Sequence, residues 1–478
     1  MSLTATCWWT LVRTVVLCLL AWPVCRWIER SFHEVSLGSR WWFLIALLIP
    51  FCFPELLVGY AFRDLALAHP KWAEALCSGL LFIRIVPVGA IALLAAPPSA
   101  VDSFAIHCRR LVVRHRGSRR GWIELAKCYW HGPIMRVLPA LALMSVVAFQ
   151  EFELAALLQT LSWTDWFVTA QRLGLEQGEM LRQSLWPLAW QLPVLVGVFC
   201  WLIAQRAQAS DDASRLEFVN ERADRRVYWL GMSCVVTFLI AGCLVPMGFI
   251  GWRTVEGFAM LVKQRSQLAG LVKEIAIAGA IAASAGLTVW AISSRLRTMA
   301  ALGLPGLFGS LLLSLGCVAA FQSSALHSLY DTPVPWVLAL VLWLLPRAVI
   351  LRLWLTALSN NSAIHAAMLI KQANGRPSRQ ASSLIWQLRD QPQFLAASLV
   401  CYWAYCDLPT AYLLAPTGMA SGLVRLYNFM HFGRSAALSA EALLFFGTPL
   451  VCVFLLLLVN RTAIGLLSCR REMTDKVG

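Results

Sequence analysis

This chain is short of charge. Asp, Glu, Lys and Arg together make up 14% of its 478 residues, against about 25% in an ordinary soluble domain. It is shorter still of lysine, with six, none of which follows a glycine. A phosphate-binding loop needs that glycine–lysine pair, so nucleotide hydrolysis is not expected of this chain. An H-E-x-x-H helix, a nucleophile elbow and a pair of carboxylates at catalytic spacing are also missing. No catalytic residue, cofactor site or metal site is expected, and the chain is not read as an enzyme. The 15 cysteines include no C-x-x-C pair and fall mostly in apolar runs, which excludes a disulfide framework and a zinc site. Alternating segments of about ten residues, the signature of a membrane β-barrel, are absent as well.

What fills the chain is apolar surface: 59% hydrophobic residues, with 22 Trp. Runs of about 20 apolar residues, each enough to cross a ~30 Å hydrocarbon core as a helix, recur eleven times. They fall near 7–28, 41–62, 72–96, 137–159, 185–205, 227–250, 272–294, 299–322, 333–357, 393–415 and 440–460. In lipid the backbone must satisfy its own hydrogen bonds, so these runs are expected to be helices. The fold class expected is all-α, a polytopic membrane protein. The first run lacks a basic segment before it and a small-residue cleavage site after it, so it reads as a retained helix, not a signal peptide.

The formal charge of +15 raises the question of nucleic acid, and its distribution answers it. Between the runs, one alternating set of loops holds about 25 Lys and Arg and the other about 9, as the positive-inside rule requires. The basic set comprises 29–40, 97–136, 206–226, 295–298, 358–392 and the tail from Arg461. This puts the N-terminus outside and the C-terminus in the cytoplasm. A lipid bilayer, and no nucleic acid, is the partner such loops imply.

Two of those loops resemble each other. "AIHCRRLVVRHRG" begins at Ala105 and "AIHAAMLIKQANG" at Ala363; each carries Ala-Ile-His with a glycine ten residues after the histidine, His107 to Gly117 and His365 to Gly375. Pro87 precedes His107 by twenty residues, and Pro346 precedes His365 by nineteen. Downstream, "FQEFELAALL" (149–158) matches "YCDLPTAYLL" (405–414), pairing Glu151 with Asp407. Helices one to five are therefore expected to repeat as helices seven to eleven. The first repeat spans 1–210 and the second 227–465, with helix six as an extra leading helix. An even offset makes the copies parallel, about an axis along the membrane normal.

This organisation resembles the fused permeases of binding-protein-dependent ABC importers, the ferric-iron type in particular. "HAAML" (365–369), with His365, Ala366 and Ala367, looks like that family's E-A-A coupling motif, and "HCRRL" (107–111) is a weaker version. "RLYNFMHFGRSAALSA" (425–440) closely resembles the segment preceding the family's last helix, and "DLPTAYLLAPTGM" (407–419) also fits. The resemblance covers nearly the whole chain but departs where the first half lacks the family's leading helix. It implies a permease subunit in a bacterial inner membrane, a separate ATPase subunit acting as a homodimer, an extracytoplasmic binding protein, and ferric iron as substrate. Thiamine or another small solute, or a secondary transporter of the major-facilitator kind, are the alternatives.

Candidate functional residues follow. At 1.5 Å per residue, Glu151 and Asp407 lie about 21 Å along their helices. Either they line a translocation path suited to a hard cation, or they bond neighbouring helices. Glu153, about 200° round the helix from Glu151, reads as structural. His107, Gly117, His365 and Gly375 belong to the coupling loops, where the glycines are expected to end short helices in a left-handed conformation. Arg119, Arg120, Arg376 and Arg379 face either ATPase carboxylates or lipid phosphate. Arg425, Tyr427, His431 and Arg434 form an outer segment that either lies in or re-enters the membrane, or docks the binding protein.

Overall fold

The computed structural model describes residues 2–35, 39–96, 103–117, 119–209, 225–263, 265–293, 305–358, 361–373, 379–419, 421–432 and 436–474. Helix accounts for every regular element, with no strand among the described residues. Among the described residues, seven helices are long and apolar enough to cross a membrane: Leu3–Glu34, Pro70–Ala95, Arg119–Phe149, Arg226–Lys263, Ser266–Ile292, Pro333–Thr356 and Ala436–Asn460. The chain is an all-α, multi-pass membrane protein.

The count of unbroken spans is lower than the eleven runs, and the reasons are local. The run at 41–62 bends by 66° between two helices. Pro54 sits at the break, and Phe53 before it is extended, because a proline ring disfavours the helical region in the residue it follows. The run at 299–322 holds a 12-residue helix, Ser310–Phe321, about 18 Å long and short of a full crossing. The run at 393–415 breaks before its last two turns, as does that at 137–159, whose earlier part belongs to the Arg119–Phe149 span; the run at 185–205 lies within one 33-residue helix, Gln177–Ala209.

The chain divides into two compact units, Met1–Pro246 and Met247–Gly478. Residues 227–246, read from sequence as the start of the second repeat, thus lie in the first unit. In that unit the elements are α1 (Leu3–Glu34), α2 (Arg40–Cys52), α3 (Glu55–Ala68), α4 (Pro70–Ala95), α5 (Ser103–Arg116), α6 (Arg119–Tyr129), α7 (Met135–Phe149), α8 (Glu153–Leu158), α9 (Trp163–Arg172), α10 (Gln177–Ala209) and α11 (Arg225–Leu239). A π-turn, Trp130–Ile134, joins α6 to α7. Helices α1, α4 and α7 pack mutually, α3 packs on α8, α5 pairs with α6, α1 also meets α9 and α10, and α11 lies against α1 and α2. The most apolar stretch of α4 is 67% buried, which makes it the centre of the unit. Gly89 on α4 permits this: a Cβ there would collide with Met144 of α7 and Cys25 of α1.

In the second unit the elements are α12 (Val245–Lys263, which begins at the boundary), α13 (Arg265–Ile292), α14 (Ser310–Phe321), α15 (His327–Tyr330), α16 (Pro333–Leu358), α17 (Asn361–Ala373), α18 (Arg379–Ile385), α19 (Gln391–Tyr405), α20 (Leu408–Leu414), α21 (Gly422–Phe432) and α22 (Ala436–Thr474). A π-turn, Trp386–Asp390, joins α18 to α19. Helices α13, α16 and α19 pack mutually, α14 packs on α20, α17 pairs with α18, and α13 also meets α21 and α22. The α13–α19 approach is close enough that a Cβ on Gly286 would lie 2.8 Å from the Cα of Cys401. Helix α16 is the central one, 61% buried along its most apolar stretch, and α22 the peripheral one at 17%. The side chains that α22 leaves exposed, among them Leu450, Val451, Phe454 and Val459, are what a lipid-facing surface requires.

Candidate functional site

Glu151 and Asp407 were read from sequence as charges inside continuous helices. The structure corrects this: both stand at helix breaks. Helix α7 ends at Phe149, and α8 restarts at Glu153. A helix start leaves its first N–H groups without intrahelical acceptors, and deep in a membrane protein no water is at hand to take them. The Glu151 carboxylate does so, accepting from the N–H of Leu154 and, at 3.2 Å, from that of Ala155. Asp407 is the N-cap of α20 and accepts from the N–H of Thr410 at 3.1 Å and from its hydroxyl. Glu reaches from one residue further back than Asp, its extra methylene covering the distance. Glu153, at the first position of α8, puts a second carboxylate at that positive helix end.

The break in the first unit is sealed on its carbonyl side too. The indole of Trp163 donates to the Phe149 carbonyl at 2.7 Å, and the Thr164 hydroxyl donates to the Glu151 carbonyl at 2.7 Å. Ser162 caps α9, accepting from the N–H of Thr164. Both acids are buried, as are Thr164, Trp163 and Thr410. A like charge, Glu55, and an opposite one, Arg13, lie near Glu151; the Ser310 side chain bonds Asp407, and the opposite charge of Arg347 lies near it. Glu55 pairs with Arg84, and this ion pair lines a small cleft with Pro50, Val58, Leu80, Ile83, Gly242 and Leu154 of α8.

The paired loops take the form of helical hairpins. In the first, His107 is exposed on α5, and Gly117 ends that helix with φ of 56°, the left-handed conformation that glycine adopts without strain. Ile106, Val113 and Leu125 form the small core of the hairpin, and Arg109 pairs with Glu124 at 2.6 Å. In the second, His365 and Ala366 are exposed on α17 while Ala367 is buried. Gly375 and Arg376 lie outside the described residues, and Arg379 opens α18. Arg119 and Arg120 are exposed at the start of α6.

The segment before the last helix is embedded along one side. Leu426, Tyr427 and Met430 of α21 are buried, and Phe429 is exposed. Arg425 is held between Glu274 of α13 at 3.2 Å and Glu441 of α22 at 3.3 Å. His431 lies within α21, and Arg434 lies outside the described residues. Sequence reasoning had not singled out Glu274, Glu441 or Arg13. The signal was present, since each sits inside an apolar run, where a charge is costly unless partnered. Arg13 of α1 pairs with Glu74 of α4 at 3.1 Å. Glu29 of α1 is likewise held by Arg26 at 2.8 Å and by Arg136 of α7.

No group of three or more His, Cys, Asp or Glu among the described residues is placed to hold a metal ion. No known family model, curated protein or solved structure matches this chain.

Proposed function

We propose that this chain is the membrane-spanning permease subunit of an ABC importer, driven by a separate ATPase subunit and fed by an extracytoplasmic binding protein, with ferric iron as its substrate class. One observation carries the reading: the order of helix pairings within the first unit recurs within the second. The triple packing of α1, α4 and α7 has its counterpart in α13, α16 and α19, α3 on α8 in α14 on α20, and the α5–α6 hairpin in α17–α18. The correspondence is in register, displaced by 256 residues (Trp130 to Trp386, Met135 to Gln391, Glu151 to Asp407). Each unit thus presents one basic hairpin between its second and third core helices, and a pair of such hairpins suits a two-fold symmetric ATPase. A major-facilitator transporter would carry its long basic loop between the halves instead.

On this reading the hairpins face the cytoplasm, and the carboxylates of Glu151 and Asp407, each bonded to backbone N–H at its own helix break, are candidates for the lining of the path; a carboxylate so engaged holds a cation weakly, as a permease that must release its substrate requires. The test is reconstitution of the chain in proteoliposomes with the ATPase encoded beside it. ATP-dependent uptake of ferric iron from the cognate binding protein is the expected result. Uptake driven by an ion gradient without any ATPase would replace this reading with a secondary transporter. Solute uptake that excludes iron would change the substrate alone.

A further inference from the structure

Helix α6 has an outer face that nothing in its own unit covers. At about 100° per residue, Trp122, Ile123 and Trp130 fall together on one side, with Arg119, Arg120 and Lys127 interleaved and flanking. The three apolar side chains are 59%, 50% and 50% exposed, and the three cations are exposed too. The other side, up to the edge next to Trp122, is occupied: Leu125, Cys128 and Tyr129 pack on Ile106 and Val113 of α5. Two tryptophans ringed by cations are the composition of a surface that sits at the headgroup level of a bilayer.

Continuity with the spanning helix points the same way. Arg119–Phe149 is an apolar stretch of 31 residues, but it kinks at Gly132, whose φ of −98° and ψ of −108° are not helical, so α6, about 16 Å long, leaves the line of α7. Beyond the π-turn the exposed positions continue as Ile134, Met135 and Leu138, so the lipid-facing side of α7 leads back to Trp130 and Trp122. The corresponding stretch of the second unit differs. Helix α18 carries Gln380, Ser382 and Ser383, and its following tryptophan, Trp386, is half-buried.

We infer that α6 is an interfacial anchor that binds anionic phospholipid headgroups through Arg119, Arg120 and Lys127 while Trp122 and Trp130 enter the acyl boundary. The lipid contact is confined to α6, so the exposed face of α5, with His107, Leu111 and Val112, stays open for a protein partner, as α17 does in the second hairpin. The inference concerns lipid alone and stands whether or not the chain is an ABC permease.

Hydrogen–deuterium exchange of the full-length protein in nanodiscs tests it. The peptide spanning 119–130 should exchange several-fold more slowly in discs containing phosphatidylglycerol than in discs of phosphatidylcholine alone, and the peptide spanning 379–390 should exchange equally in both. High salt should abolish the difference in the unmodified protein, because headgroup attraction is screened. The double variant Arg119→Glu/Arg120→Glu should abolish it without altering exchange in Pro70–Ala95. Equal exchange of 119–130 in the two lipids would overturn the inference. So would protection that comes only on adding an ATP-binding subunit, which would make this face a protein-docking surface.

Discussion

Each unit buries a three-charge cluster, and the two are inverted. In the first, one carboxylate, Glu29, lies between two guanidiniums, Arg26 and Arg136; in the second, one guanidinium, Arg425, lies between two carboxylates, Glu274 and Glu441. The central group also differs in exposure: the Glu29 side chain is 4% exposed and that of Arg425 25%. What matters for stability is the outer pair. Arg26 and Arg136 keep 33% and 26% of their side-chain surface, whereas Glu274 and Glu441 keep 9% and 7%. A charge that loses its partner is tolerated where water reaches it and is costly where water does not. The comparison teaches that the same motif is expendable or indispensable according to what its removal leaves behind.

The largest expected effect therefore belongs to Arg425. Arg425→Leu strands two buried carboxylates and should cost about 3 kcal/mol, read as a fall in thermal unfolding temperature in detergent. Glu29→Ala strands two guanidiniums that water still reaches and should cost about 1–2 kcal/mol, discounted for that exposure. If Glu29→Ala proves the more damaging, solvent access of the outer pair does not govern these clusters.

Next come the helix breaks. Removing a cap costs about 0.5–2 kcal/mol, so Asp407→Ala and Glu151→Ala should each destabilise by about 1 kcal/mol. Asp407→Asn should be nearly silent, because the amide oxygen still accepts from Thr410. The double variant Glu151→Gln/Asp407→Asn sharpens the matter, since it retains both caps and removes both charges. Unchanged unfolding with reduced transport would assign the charges to the path; unchanged transport would leave them as caps.

The smallest effect concerns pH. Asp331, in the loop before α16, accepts from the N–H of Thr417 at 2.7 Å and from its hydroxyl. These bonds hold its carboxyl below the usual carboxylate range. A depressed carboxyl stabilises the fold above its unfolded pKa, and the contribution is lost as pH falls through the lowered folded value. The protection factor of the Thr417 amide, with the intrinsic pH dependence of exchange removed, should fall on acidification from neutral pH into that range; Asp331→Asn should abolish the dependence, and Thr417→Val, which keeps the N–H bond and loses only the hydroxyl, should weaken it.

Much of this was legible in the chain. Hydrophobic run length located the spanning helices, because lipid leaves a backbone no alternative to internal hydrogen bonds. The matched Ala-Ile-His stretches located two helical hairpins, and the ten-residue interval to Gly117 located the left-handed residue that ends α5. The broken runs were not legible. "AFQEFEL" reads as helix by periodicity, since Glu is a good helix former; the break there is held by Trp163, Thr164 and Thr10, which come from distant segments. Pro54 and Pro409 were visible signs of breakage that apolar run length overrode.

The sequence by itself determined that the chain is a helical membrane protein, where its helices begin in lipid-compatible runs, and which of its loops are basic. These are properties of short windows, fixed by solvent and by the 1.5 Å rise of the helix. Only the tertiary structure decided which buried charges have partners. Arg13 and Glu74 are 61 residues apart, Arg136 and Glu29 107, and no local pattern links them. Whether Glu151 points a free charge or a bonded one into its surroundings depends on where α7 stops. That is settled by packing against α9, because a buried backbone group takes whatever acceptor the fold brings to it.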